Sequence, residues 1–549
     1  MTPFSEMSAQ AETNAGVARA TGVLALGNIA SRVLGLAREI VLTNLFGASR
    51  AVDAFNYAIL VPKTLYDLLI AGHVNSAIIP VLSDVITREG EGAFWRLVSI
   101  LFSLVTVVIS VSALILAAFA PQVIGVISSG SDAPTQAVAA ELLRWIAPAL
   151  VFLSLFAVLS GALYARRSFS LPAFAGAVFN GAVVIGTLVF APPPQVTPAL
   201  DGAWVNWTLA RPDIGIRAAA FGWLIGALAQ LMLQLPGLRG GRLHFTVRWN
   251  TPAVRRIGLL YTPVLASLLL DTFVRTFSYN LASQTGVGSV SYMNWATTLI
   301  QFPQGLVATA ISIAILPTLA RQAVLQDAEG AQAFKDTLGL GLRLAITLMI
   351  PAAVGLFVLA QPIIRLLFEH GAFTPPMSDI TGLALRLYLI GLPFAAVDLL
   401  LVYAFYARQD TLTPALIGLV SLVLYTLVAV ALLPLIGLFS LMIADSVKHI
   451  VHAALSGLIL RRRLGGYGDQ KLARTVIKTG AAALAMGAAA LIAEPMLETA
   501  IGSAGVIRET ALVALSGGLS VAVFAAAAAL LRIDEWSWII GLIRSRIRG

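Results

Sequence analysis

The chain has no cysteine among its 549 residues. That excludes disulfides, thiolate metal sites and cysteine nucleophiles together. Charge is scarce as well: 11% of the residues are Asp, Glu, Lys or Arg, against about 25% in an average soluble domain. So few charged groups cannot cover a soluble protein of this length. The five histidines are scattered, and only His449 and His452, at i and i+3, could share a helix face. Ordinary packing at a basic helix end is the reading preferred there to metal ligation. No G-x-x-x-x-G-K-[ST] run and no H-E-x-x-H occurs, so a built-in nucleotide motor is not expected. Energy, if needed, would come from an ion gradient or the membrane potential. Residues 1–20 are polar and Ala-rich, lack the basic-then-apolar order of a signal peptide, and read as a disordered tail.

What the chain does have is apolar sequence. Hydrophobic residues make up 58%, and the mean hydropathy is +0.88. A spanning helix takes about 20 apolar residues. Apolar segments lie near 21–43, 57–82, 97–120, 140–163, 171–191, 216–237, 257–282, 290–319, 340–360, 380–404, 412–434, 436–460, 475–495 and 509–531. The fold class expected is all-α: a polytopic membrane protein of about 14 transmembrane helices.

Loop charges orient these spans. With the N-terminus in the cytoplasm, the even-numbered connections hold most of the loop arginines and lysines, including Arg166, Arg167, Arg239, Arg242, Arg408 and Arg461–Arg463. The odd ones hold mainly Arg50, Arg211 and Arg365. This fits the positive-inside rule with both termini cytoplasmic. The formal charge of +9 is then accounted for by topology, and no nucleic-acid partner is called for. Residues 534–549 combine Trp536, Trp538, Ile539 and Ile540 with Arg544, Arg546 and Arg548. They read as an amphipathic tail lying at the inner interface.

Two motifs recur. Tyr164-Ala165-Arg166 followed by Pro172-Ala173 returns as Tyr406-Ala407-Arg408 followed by Pro414-Ala415. Asn56-Tyr57-Ala58 with Pro80 returns as Asn294-Trp295-Ala296 with Pro317, at nearly the same offset. Two echoes at nearly one offset suggest duplication of a unit of about six spans, as in transporters that bind substrate between two halves. The expected layout is an N-lobe over 21–237 (spans 1–6), a cytoplasmic connection over 238–256 and a C-lobe over 257–460 (spans 7–12). Two extra spans over 475–531 follow. The two six-helix pseudo-repeats would enclose a central cavity.

Ions inside a bilayer usually face a cavity or a partner. The first span carries Arg32, Arg38 and Glu39; Asp53 precedes the second span, and Lys63 and Asp67 lie within it. Asp271 and Arg275 sit at i and i+4 in span 7, and Arg386, Asp398, Asp445 and Lys448 lie in spans 10 and 12. An i, i+3 pair such as Asp445 and Lys448 is expected to be helix packing alone. Arg32 and Arg38 are different, because excess arginine at membrane depth suits a phosphate, which guanidinium binds bidentately. Gly27, Gly35 and Gly47 beside them would allow bending or close approach. The residues alone therefore suggest a secondary transporter for an anionic, amphipathic substrate.

At this point the sequence resembles a known family. Asn28-Ile29-Ala30-Ser31-Arg32-Val33-Leu34-Gly35-Leu36-Ala37-Arg38-Glu39, then Phe46-Gly47-Ala48 and Asp53-Ala54-Phe55, is similar to the first-span signature of the MurJ/MviN lipid II flippases. These form a branch of the multidrug/oligosaccharidyl-lipid/polysaccharide exporter superfamily. Phe169–Phe174, Phe302-Pro303-Gln304-Gly305, Phe368-Glu369-His370-Gly371 and Phe405–Thr411 continue the likeness in order, over about residues 21–465. The resemblance implies a bacterial inner-membrane flippase, not an enzyme. It would translocate undecaprenyl-diphosphate-linked peptidoglycan precursor as a monomer, without a cofactor. The lipid tail would lie in a groove formed partly by the last two spans. Arg32 and Arg38 would hold the diphosphate, and Asp53, with Glu39 nearby, would stabilise a gate by ion pairing. Asp271 resembles a cation-coordinating acid of some members, with Asp398 a second candidate, so Na+ or H+ is the coupling ion expected.

The chain also departs from that pattern. A basic pair is usual where it has Tyr66 and Asp67, an acid where it has Ala71 and Gln301, and Asp-Arg where it has Thr297 and Thr298. Lys63 and Arg275 are the candidates to restore part of the positive field. The alternatives are a divergent paralogue for another lipid-linked glycan and a drug/cation antiporter of the same superfamily, whose cationic substrates would prefer an acidic cavity. A membrane-embedded glycosyltransferase or ligase is a further class. It would need positioned acids, and the largest outer loop, 192–215, offers only Asp201 and Asp213.

Overall fold

A computed structural model describes residues 3–66, 78–191, 214–325, 327–466, 470–502, 505–538 and 540–541. Among them there is no β-strand. Among the described residues eight helices are long and apolar enough to cross a membrane, or ten if each of two bent pairs is one span, where the sequence suggested about 14.

The chain divides into two compact units, the boundary falling after Ser291. The first holds α1 (Pro3–Phe46), α2 (Arg50–Tyr66), α3 (Ile79–Ala118), α4 (Ala120–Ile127) and α5 (Ala133–Ile146). It continues with α6 (Ala149–Ala165), α7 (Ser170–Phe190), α8 (Arg217–Met232) and α9 (Pro252–Ser283). Helix α1 takes in the segment expected to be a disordered tail. Pro3 stands at its first position and alanine recurs at 9, 11, 15, 18 and 20, a composition that favours helix. Gly90, at φ 83°, breaks α3 into a short charged segment and a long apolar one. Helices α5 and α6 meet at a 42° bend, Asp132 capping α5 by accepting from the Thr135 N–H at 3.3 Å. The core of this unit is built from Leu82, Phe94 and Val98 of α3 and Leu150, Val158 and Leu163 of α6.

Small residues bring α1, α7 and α8 together. A Cβ on Gly27 would lie 2.2 Å from the carbonyl oxygen of Ala173, and one on Gly186 would lie 2.7 Å from the Cα of Gly222. Gly222 and Gly226 are spaced four apart, and both face α7 backbone, at Val183 and Phe179. Such close approach is how helices pack where lipid supplies no hydrophobic drive. Gly222→Leu is therefore expected to force α7 and α8 apart, at a cost of about 1–3 kcal/mol. Thermal unfolding in detergent checks this; an unchanged midpoint would contradict the packing described.

The second unit begins within α10 (Ser289–Pro303), which passes through a π-helical turn, Gln304–Ala308, into α11 (Thr309–Val324). Then follow α12 (Ala328–Val358), α13 (Ala360–Phe368), α14 (Pro375–Leu389) and α15 (Leu392–Ala407). The last four are α16 (Leu412–Ile436), α17 (Phe439–Arg463), α18 (Leu472–Ile501) and α19 (Val506–Leu530). Phe334, Leu338 and Leu342 of α12 pack on Leu400, Leu401 and Phe405 of α15 and on Leu460 of α17. Helices α18 and α19 form a smaller cluster with Met486, Phe524, Ala528 and Ile533.

Large apolar side chains stay outside these cores. Leu114 is 70% exposed, Leu435 75%, Leu484 70% and Leu530 83%. Outward-facing apolar surface on this scale is untenable in water and ordinary in lipid.

The sequence echo is also a backbone echo. After α6, Arg167 takes φ 59° and the Ser168 N–H donates to the Leu163 carbonyl at 2.9 Å. After α15, Gln409 takes φ 59° and the Asp410 N–H donates to the Phe405 carbonyl at 3.0 Å. In each turn an arginine lies over an aromatic ring, Arg166 on Trp95 at 5.4 Å and Arg408 on Phe334 at 5.9 Å. Tyr57 and Trp295, the centres of the other echo, are each 1% exposed. Partial burial pushes the Asp410 carboxyl up, but hydrogen bonds from Thr413 and the charge of Arg463 outweigh it and hold it at about 2.

Candidate functional site

Helix α1 presents Arg38 and Glu39 beside α7. The Arg38 Nε and Nη2 donate to Glu39 Oε1 at 3.1 and 2.6 Å, and Nη1 donates to Asn180 Oδ1 at 3.1 Å. Asn180 is itself anchored, its Nδ2 donating to the carbonyls of Ser31 at 3.2 Å and Gly176 at 3.0 Å. The guanidinium is thus held in one orientation, 24% exposed, with N–H groups left over for an anion. Gly35 lies beside Asn180, while Gly47, at φ 57°, ends α1. Asn180 was not among the residues singled out from sequence. Its only signal there was being the lone amide in an apolar run.

Asp53 lies in the first turn of α2 and is 3% exposed. Its Oδ2 accepts from the Gly288 N–H at 2.5 Å. Its Oδ1 accepts from the Ser291 N–H at 3.0 Å and from the Ser291 hydroxyl at 2.7 Å. Asn56, one turn on, donates to the same hydroxyl at 3.2 Å. A carboxylate from α2 therefore caps the free amides at the start of α10, where negative charge is favourable. The partners it shows are amides and a hydroxyl, where ion pairing was expected.

The other basic candidates share this unit. Arg32 on α1 and Arg275 on α9 are half-buried, and Lys63, in the last turn of α2, is exposed. Tyr66 is half-buried at the end of α2. Asp67, Ala71, Asp201, Asp213 and the side chain of Asp271 lie outside the described residues. In the second unit, Thr297 and Thr298 both donate to the Asn294 carbonyl at 2.9 Å. Their hydroxyls are satisfied within their own helix and bring no charge.

Asp398 on α15 faces α17. Its Oδ1 lies 2.5 Å from His452 Nδ1 and 3.4 Å from the Ser456 hydroxyl, and the Asp398 and His452 side chains are 14% and 15% exposed. One turn earlier, Lys448 pairs with Asp445 at 2.5 Å, as the i, i+3 spacing predicts, and His449 lies 3.7 Å from the other Asp445 oxygen. The two histidines thus serve separate carboxylates. Among the described residues no group of three or more His, Asp or Glu is placed to hold a metal ion.

An all-helical membrane fold, a repeated hairpin turn and an arginine fixed in the first helix define a polytopic membrane transporter. The fold resembles that of a MATE multidrug transporter in its inward-facing conformation, with a TM-score of 0.63 at 14% identity, over 80% of this chain and 96% of that one. It resembles a solved lipid II flippase MurJ in an inward closed conformation more nearly in shape, with a TM-score of 0.72 at 20% identity, over 93% of this chain and 99% of that one. The sequence model of lipid II flippase MurJ matches residues 42–507, which takes in α2 to α18. The lipid II flippase MurJ of Burkholderia cenocepacia is 31% identical over 441 residues, 79% of this chain and 81% of that protein. The probable lipid II flippase MurJ of Haemophilus influenzae is 30% identical over 493 residues, 84% and 89% of the two chains. This chain belongs to the MurJ lipid II flippase family.

Proposed function

We propose that this protein is a flippase for lipid II in the bacterial cytoplasmic membrane. It moves the undecaprenyl-diphosphate-linked precursor from the inner to the outer leaflet by alternating access. The family match over residues 42–507 carries this reading. Arg38 supports it chemically, being fixed in orientation yet with N–H groups to spare for a diphosphate oxygen. Arg32 is its partner on α1; Lys63 and Arg275 supply positive field where Thr297 and Thr298 are neutral; Asp53 holds a gate through the start of α10. The protein acts as a monomer with both termini in the cytoplasm, as the loop arginines favour, and has no nucleic-acid partner.

For the coupling ion, H+ is favoured over Na+ at Asp398. Sodium, a hard cation, takes oxygen ligands, as calcium and magnesium do, whereas the near neighbour of Asp398 Oδ1 is an imidazole nitrogen at 2.5 Å. That is a proton-sharing geometry. Asp271 stays the alternative cation ligand.

Complementation tests the reading. In a bacterium depleted of its resident flippase, the protein is expected to restore growth and the arrival of lipid II at the outer leaflet. Arg38→Ala is expected to abolish rescue while inserting normally. Lys63→Ala with Arg275→Ala is expected to lower the flipping rate by about tenfold; unchanged flipping would remove those two from the site. Failure of a folded, inserted wild-type chain to rescue would assign it another lipid-linked glycan.

A further inference from the structure

The second unit contains a cationic cavity that the transport reading does not use. It has a volume of about 280 Å3 and opens where α12, the start of α18 and the turn after α19 meet. Its floor is a closed network. Arg343 Nε donates to Glu535 at 2.6 Å, and its Nη1 donates to the Gln470 carbonyl at 2.9 Å. Gln470 Nε2 donates to Asp336 at 2.7 Å. Two of the three acids lining the cavity are thereby occupied. Lys478 donates to the Arg532 carbonyl at 2.8 Å and so pins the turn.

The rim is what remains: the side chains of Lys471, Arg474 and Arg532, faced by a single carboxylate, Asp534. Two of these three sit at positive φ, Lys471 at 51° and Arg532 at 50°. The other non-glycine residues in that region, among those described, are Arg167 and Gln409 of the repeated turns. A glycine or asparagine would hold such a backbone at lower cost, yet basic side chains occupy both positions.

The surface below the rim is apolar. Ile477 is 72% exposed and Leu530 83%, on the outward faces of α18 and α19. Ile533 is buried between those helices and Trp536 packs edge-on against Phe524 at 5.4 Å. Trp538, two residues further on, is 51% exposed, and exposed tryptophans collect at the level of the lipid headgroups. A ligand seated here would put a phosphate among Lys471, Arg474 and Arg532 and lay acyl chains along Ile477 and Leu530. At about 280 Å3 the cavity lies at the lower bound of small-molecule pockets, about 300–1,000 Å3, a size for a headgroup.

We propose that this cavity binds the phosphate of an anionic glycerophospholipid of the bilayer, at basic residues distinct from the Arg32 and Arg38 assigned to the diphosphate of the transported precursor. Basic pockets between helices at a membrane face are a general means of holding such headgroups. The full chain, purified into mixed micelles of detergent and phosphatidylcholine, is titrated with phosphatidylglycerol or with inorganic phosphate. Bound lipid is counted by native mass spectrometry and the thermal midpoint is followed. Wild type is expected to retain phosphatidylglycerol over phosphatidylcholine and to gain stability with it. Lys471→Gln with Arg474→Gln is expected to weaken retention by about tenfold while unfolding normally in phosphatidylcholine alone. The charge-preserving Lys471→Arg with Arg474→Lys, and the remote control Arg461→Gln with Arg462→Gln, are expected to retain the lipid. Should the double glutamine variant not fold, Arg474→Gln alone replaces it, since that exposed side chain is outside the floor network. Equal retention by wild type and the glutamine variant would overturn the site. Stabilisation by inorganic phosphate equal to that by phosphatidylglycerol would overturn the lipid assignment and leave a free-anion site.

Discussion

Replacing Asp53 by alanine is expected to abolish rescue in the complementation assay and to lower the thermal midpoint. The carboxylate accepts from two backbone amides and one hydroxyl at 2.5 to 3.0 Å while 3% exposed. Removing it leaves the Gly288 and Ser291 N–H groups without an acceptor in a dry site, each worth about 1–3 kcal/mol. Asp53→Asn separates charge from shape. Its single carbonyl oxygen can serve Ser291, but its NH2 group would then face the Gly288 N–H donor to donor. Asparagine is therefore expected to recover at most part of the stability. An Asp53→Asn protein as stable and as active as wild type would show that neither the charge nor the second acceptor matters.

The second large effect is expected at Asp398 and His452. Taking one partner from a buried pair strands the other, at a cost of about 3–5 kcal/mol. Asp398→Leu and His452→Leu should each destabilise strongly. The double variant should be milder than either, because it strands no ion and replaces the pair with apolar packing. Asp445, Lys448 and His449 pair among themselves on α17, but His449 also interacts electrostatically with Asp398 and His452, so it and Ser456 are both polar neighbours of the vacated site. If the pair carries the coupling proton, the double variant folds yet loses the dependence of flipping on a pH gradient. Additive single effects in the cycle would mean that the two residues do not act as a pair. Retained proton dependence in a folded double variant would place coupling elsewhere, with Asp271 next in line.

Much of this protein can be read from its residues, and the readable part has a common physical basis. Helix and bilayer follow from local composition, since a run of about 20 apolar residues has no other stable home. The turns after α6 and α15 could be paired in sequence because each is a short local motif, and both close through the same hydrogen bond. Lys448 finding Asp445 was legible for the same reason, as i, i+3 neighbours on one helix must meet.

The partners of the functional candidates were decided by the tertiary structure. Arg38 could be named from sequence, but Asn180, which orients it, lies on another helix and had no spacing to reveal it. Asp53 was expected to meet a cation and instead caps the amides of Gly288 and Ser291. His452 was weighed against His449 because the two are neighbours on one helix, while its partner is Asp398 on another. The sequence by itself determined which side chains carry charge into apolar stretches, because a charged residue within an apolar run is visible locally. Which group answers each charge depends on which helices pack together and in what rotation, and only the folded chain settles that.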